Sequence, residues 1–171
     1  MKGNWMLTLP VLIIAIYASP ELFVAQAVPE SNPLAAFSFL AGSCWQGTFP
    51  QKTATDEHCF EWLHDGKFLR DTHTVRGAAK PYSGETTYAW DPKEKRIVYW
   101  YIASNGSHST GTATADGETI VFPESHVSAS GRRDLLNTWR RTGPDTYGIR
   151  VVETTGTGEK ELWSMEMRRT R

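Results

Sequence analysis

Over most of this chain, apolar and polar residues exchange places at every second position, the pattern of a strand with one buried face. Tyr88 and Trp90 share a face opposite Thr87, and Phe60 shares one with Trp62. Tyr147, Ile149 and Val151 alternate with Gly148, Arg150 and Val152. Trp163, Met165 and Met167 alternate with Ser164, Glu166 and Arg168. About ten strands follow from this reading: 43–49, 57–64, 67–75, 84–91, 96–103, 107–114, 118–123, 134–142, 146–153 and 160–169. Both faces of 96–103 are apolar or aromatic, so its inward face is open at this stage.

The connections carry turn chemistry. Asp65-Gly66 and Asp116-Gly117 are two-residue hairpin signals. Asp91-Pro92, Gly143-Pro144-Asp145 and Thr155-Gly156-Thr157-Gly158 also punctuate the pattern. The Ser-rich segment 123–133 reads as a longer loop. Pro33 to Leu40 reads as one short helix, with Pro33 at its first position and Leu34, Phe37 and Leu40 at helical spacing. Short hairpins in sequence, without crossover helices, describe an antiparallel meander. Closing it into a barrel removes its free edges, whereas the alternative, a two-sheet sandwich, usually needs longer connections. The expected fold is therefore all-β, a meander of about ten strands closed into a barrel, with one short N-terminal helix.

The first 27 residues have a different character. Lys2 precedes an apolar run from Leu7 to Ala18, Pro20 interrupts it, and Ala25-Gln26-Ala27 offers the small residues a signal peptidase takes. The run is short of the ~20 residues a membrane span requires. Leu40-Ala41-Gly42 is separated from Cys44 by Ser43 and is not read as a lipobox. The expected organisation is a signal peptide at 1–27, a leader at 28–36 and a barrel domain at 37–171. The expected location is the periplasm or the exterior, with no transmembrane anchor once the signal is removed.

Export bears on the two cysteines. Cys44 and Cys59 form an even pair, and an oxidising compartment favours a disulfide over two buried thiols. Phe49-Pro50 and the polar stretch to Asp56 let the chain turn back between them. The formal net charge of −1 gives no electrostatic reason to seek nucleic acid or an anionic membrane.

The run Phe39-Leu40-Ala41-Gly42-Ser43-Cys44-Trp45-Gln46-Gly47 resembles the opening of lipocalin-like proteins. Tyr88-Ala89-Trp90-Asp91-Pro92, Ile97-Val98-Tyr99-Trp100 and the ending Arg168-Arg169 are similar to a bacterial exported lipocalin-like family, over roughly 37–169. Two residues, Ser43 and Cys44, stand between Gly42 and Trp45 where the family usually has one. The resemblance implies a calycin-like barrel whose end is closed by Trp45, with Arg168 or Arg169 over its ring. More distantly the chain resembles the nitrobindins, which carry haem on a histidine late in the chain; here no histidine follows His126. Fatty-acid carriers of similar shape use an Arg and Tyr pair on the last strand, and no Tyr is present there.

No strong chemical motif appears. His58, His64, His73, His108 and His126 do not pair at close ligand spacing, and Asp71 and His73 share a strand face without visible further ligands. Gly106-Ser107-His108-Ser109-Thr110-Gly111 lacks the strand-turn-helix context of a nucleophile elbow and reads as a hairpin tip. No catalytic residue, metal ligand or cofactor is assigned.

Aromatics are the leading functional hint, since six Trp follow the signal segment. They fill cores by default and also line cavities in barrels. The candidate ligand contacts are the aromatics Trp62, Tyr88, Trp90 and Trp100, then Asn137 and Arg141 beside Trp139, and Glu153 beside Tyr147. The function expected is binding of a small apolar or amphipathic molecule. A structural or envelope-interaction module and an enzyme on the same scaffold are the alternatives.

Overall fold

The structure, a computed structural model, describes residues 32–50 and 53–171. The expected signal peptide and residues 28–31 of the leader lie outside the described residues. Ten antiparallel strands follow a single 3-10 turn at Ala35–Phe37. They are β1 Ser43–Thr48, β2 Thr55–Leu63, β3 Phe68–Arg76, β4 Tyr82–Asp91 and β5 Arg96–Ala103. Then come β6 His108–Asp116, β7 Thr119–Ser128, β8 Gly131–Gly143, β9 Thr146–Thr155 and β10 Gly158–Arg169. Each strand pairs with its neighbours in sequence, and β1 pairs with β10, so the sheet closes on itself. This architecture fits a lipocalin or calycin-like fold. Among the described residues no helix is long and apolar enough to cross a membrane.

Two expectations are corrected. The N-terminal helix shrinks to one 3-10 turn. Leu34, Phe37 and Leu40 repeat every third residue, the period of a 3-10 turn, and all three are buried. The segment 123–133 is not a loop: β7 runs to Ser128 and β8 begins at Gly131. Its alternation was hidden because the residues facing inward here, Glu124 and His126, are polar. Pro123 sits inside β7 between the two stretches paired with β6, Gly111↔Glu124 and Thr114↔Val121, where its missing N–H costs the ladder little.

The closed end of the barrel is apolar. Trp45, Phe60, Leu69, Ile97, Ile120, Tyr147 and Met167 are all buried there. Phe37 inserts from the 3-10 turn, its ring centroid 4.8 Å from that of Tyr88. Trp45 donates from Nε1 to the Leu40 carbonyl, and the Arg169 guanidinium lies 4.3 Å over its ring. Arg169 also donates to Asp145 Oδ1 at 2.9 Å, to the Phe39 carbonyl at 3.1 Å and to Ser43 Oγ. That one side chain ties the last strand to the first and to the plug. Of the two arginines proposed for the ring, Arg169 takes the place.

Cys44 and Cys59 are direct cross-strand partners on β1 and β2 and form a disulfide. Closing a loop of this size stabilises the fold by about 3 kcal/mol in the chain-entropy account.

Candidate functional site

The strand order sends one end of every odd or even strand to the same rim, so inward residues near β2's start, β3's end, β5's end, β7's end and β8's start meet. They line a cavity of about 260 Å³ inside the barrel. Tyr99, Phe122, Trp139, Ile149 and Val151 supply apolar wall, and Phe49, Leu162 and Trp163 complete it. A register shift between Glu161 and Trp163 on β10 brings both Leu162 and Trp163 to the lining. Strand β5 points Ile97, Tyr99 and Tyr101 inward, settling the face that its sequence left open.

One wall is strongly polar. Asp56 and His58 on β2 face Asp71 and His73 on β3, with His58 and His73 directly opposite each other. His58 Nδ1 lies 2.8 and 3.0 Å from the two oxygens of Asp71, and its Nε2 lies 3.3 Å from Asp56 Oδ2. His73 Nδ1 donates to Asp56 Oδ1 at 3.0 Å, and its Nε2 lies 3.1 Å from the Tyr101 hydroxyl. The result is one continuous chain, Asp71–His58–Asp56–His73–Tyr101. Asp56, Asp71 and His73 are all less than a tenth exposed.

Burial works against charge on this wall, but the carboxylates of Asp71 and Asp56 outweigh it and push the His58 imidazole up to about 10. Burial likewise opposes ionisation of Asp56, yet His58 and His73 hold its carboxyl well below the usual carboxylate range. Burial raises the phenols as well: Tyr82 is pushed up to about 12, and Tyr88, Tyr99, Tyr101 and Tyr147 are held well above the ordinary phenol value.

A backbone feature makes room for this wall. Gly84 on β4 is the cross-strand partner of His73. A Cβ there would stand 2.5 Å from His73 Nε2 and 2.6 Å from the Tyr101 ring. Any side chain at that position would displace the imidazole or the phenol.

A second polar group lies further round the barrel. Ser109 Oγ on β6 is 2.6 Å from Glu124 Oε1 and 3.0 Å from His126 Nδ1 on β7. Ser109, read from sequence as part of a hairpin tip, is buried and turned inward.

Between these groups, β8 carries polar atoms with no partner among the described residues. Trp139 Nε1 and Asn137 Oδ1 are both buried and unpaired, and their residues line the cavity. They sit two residues apart on one strand face, and Trp139 stands edge-on to His58.

Of the residues expected at the site from sequence, Tyr88, Asn137 and Trp139 line the cavity. Tyr147 is buried below it, against Trp45 and Trp139. Trp62 is packed against the core cluster and does not reach the lining. Trp90 lies at the end of β4 in a shallow depression with Pro33 and Phe68, and Trp100 is 52% exposed on the outer face. Arg141 shares a strand face with Trp139 but sits past the closed end, over the Phe39 ring and bonded to the Gly143 carbonyl. Glu153 is 3.9 Å from Arg133 and is not part of the lining.

The sequence places Asp71 and His73 on one strand face but does not by itself bring Asp56 and His58 to them. The signal of the polar wall was the repeated spacing Asp56-x-His58, Asp71-x-His73 and Glu124-x-His126, an acid and a histidine on one strand face each time. Folding the first two about the Asp65-Gly66 turn brings His58 opposite His73.

The cavity is too small for a porphyrin, so the site does not fit haem. No family model matches the chain, and no curated protein matches it.

Proposed function

We propose that this is an exported binding protein for a small amphipathic molecule, held inside the barrel. The observation that carries this reading is the unpartnered pair Trp139 Nε1 and Asn137 Oδ1. Buried polar groups ordinarily have partners, and leaving one unpaired costs about 1–3 kcal/mol. Both residues line the space a ligand would fill. One is a donor and the other an acceptor, so they suit a group that accepts and donates, such as a hydroxyl on an aromatic or alicyclic body. The surrounding rings supply the apolar contact. The disulfide accords with export, since oxidising compartments are where such bonds persist.

Naphthol is a suitable probe: neutral, compact, aromatic and hydroxylated. Calorimetric titration is expected to give one site. Trp139→Phe and Asn137→Leu each remove one hydrogen bond and are expected to weaken binding by about three- to tenfold. Absence of binding to the folded wild type, or full affinity in both variants, contradicts the reading.

A second reading, proton transfer to a bound molecule, is favoured by the Tyr101–His73–Asp56 chain, which has the hydroxyl–imidazole–carboxylate order of acid–base relays. Its test is native mass spectrometry of the purified protein, followed by incubation of any copurified molecule with wild type and with His73→Gln. Conversion by the wild type alone supports catalysis, and an unchanged molecule argues for binding only.

A further inference from the structure

We propose that Asp56, His58 and His73 form a three-ligand site for a divalent first-row transition-metal ion, with Asp71 and Tyr101 holding the two imidazoles from behind. The site is separate from the donor and acceptor pair on β8, and neither reading depends on the other.

Three observations support it. First, one donor atom from each residue lies within 4.8 Å of the others. Ligand atoms about 2.0–2.1 Å from a tetrahedral ion stand roughly 3.3 Å apart. Asp56 Oδ2 to His58 Nε2 is 3.3 Å, the length of one edge of such a site, and the other carboxylate oxygen, Oδ1, is 3.0 Å from His73 Nδ1, so the carboxylate stands between the two imidazoles.

Second, each imidazole has an outer partner. Asp71 takes Nδ1 of His58, and the Tyr101 hydroxyl meets Nε2 of His73. In each ring this turns the other nitrogen toward Asp56. A carboxylate behind a ligating histidine is the usual means of fixing its ring and raising its basicity. Gly84 belongs to the same arrangement, since it leaves the space that the His73–Tyr101 pair occupies.

Third, the three residues border the cavity rather than solid core. Three protein ligands with room beside them leave a coordination position for water or for a bound molecule. Two imidazoles and one carboxylate suit zinc or ferrous iron better than calcium or magnesium, which prefer all-oxygen shells.

The test uses protein stripped with a chelator and titrated with cobalt(II) alone, followed by zinc(II). The expected result is one equivalent of cobalt with the strong visible absorption of a low-coordinate site, bleached by zinc. His73→Gln and Asp56→Asn are expected to weaken binding by at least about tenfold. Asp71→Asn, which leaves all three donors, is expected to weaken it by about ten- to a hundredfold. His126→Gln, outside the proposed ligand set, is expected to bind as the wild type does. Far-ultraviolet circular dichroism reports folding of each variant. A folded wild type without a cobalt band overturns the proposal, and this holds even where a ligand variant does not fold. Equal losses in His126→Gln and His73→Gln also overturn it.

Discussion

His58 gives Nδ1 to Asp71, 2.8 Å away on the next strand, and so directs Nε2 toward Asp56. Asp71 is not its cross-strand partner, which is His73, but the diagonal neighbour opposite Phe60. Asp71 is buried and His58 largely so, and breaking such a pair strands one charge without its partner. Asp71→Ala is therefore expected to lose about 3–5 kcal/mol of stability. Urea unfolding of metal-free protein measures it; a loss under about 1 kcal/mol would show that Asp71 does not hold His58.

The disulfide joins β1 to β2 beside the seam where β1 meets β10. Cys44→Ser with Cys59→Ser is expected to lower stability by about 3 kcal/mol while keeping the barrel. Denaturation midpoints of the double variant and the wild type, compared in the absence of reductant, check this. Equal midpoints would contradict it.

Five tyrosines lie in the described barrel, and burial raises all of them above the ordinary phenol value. In the unfolded chain they ionise near pH 10. Above that pH the unfolded state has given up protons that the folded state retains, so stability falls as pH rises further. Tyrosinate absorbance is expected to appear together with loss of the far-ultraviolet strand signal, as one transition. Absorbance that grows near pH 10 in a protein still folded would contradict the burial assigned to these rings.

Gly84 offers a sharper test of the polar wall. Gly84→Ala places a methyl against His73 and Tyr101 and is expected to cost about 1–3 kcal/mol as overpacking. His73→Ala in the same background removes the obstructing ring and is expected to recover part of that loss. A double-mutant cycle of unfolding energies measures the coupling, and strict additivity would contradict the close approach.

How much of this was legible follows a physical line. The barrel could be read because apolar and polar residues alternate along strands such as 147–152 and 163–168, and because Asp65-Gly66 can turn tightly; Gly66 does take a positive φ of 80°. The inward roles of Tyr88, Asn137 and Trp139 came from the same alternation. It failed at 123–133, where the inward residues Glu124 and His126 are polar, so the face pointing at the cavity looked like a surface. For the same reason Asp56, His58, Asp71 and His73 were not placed at the site. Hydrophobic periodicity finds the core and passes over polar groups buried in it, unless the strand register is worked out as well. Trp100 shows the converse, since an aromatic on a strand with two apolar faces can point to solvent.

The most direct test of ligand binding inside the barrel is the indole N–H signal of Trp139 in a nitrogen–proton correlation spectrum, followed as naphthol is added. The account predicts that this signal moves furthest among the tryptophans, as its unpartnered N–H gains an acceptor, while those of the outward Trp90 and Trp100 stay in place. Movement at Trp90 or Trp100 with Trp139 unmoved, or no movement at saturating probe, would contradict it.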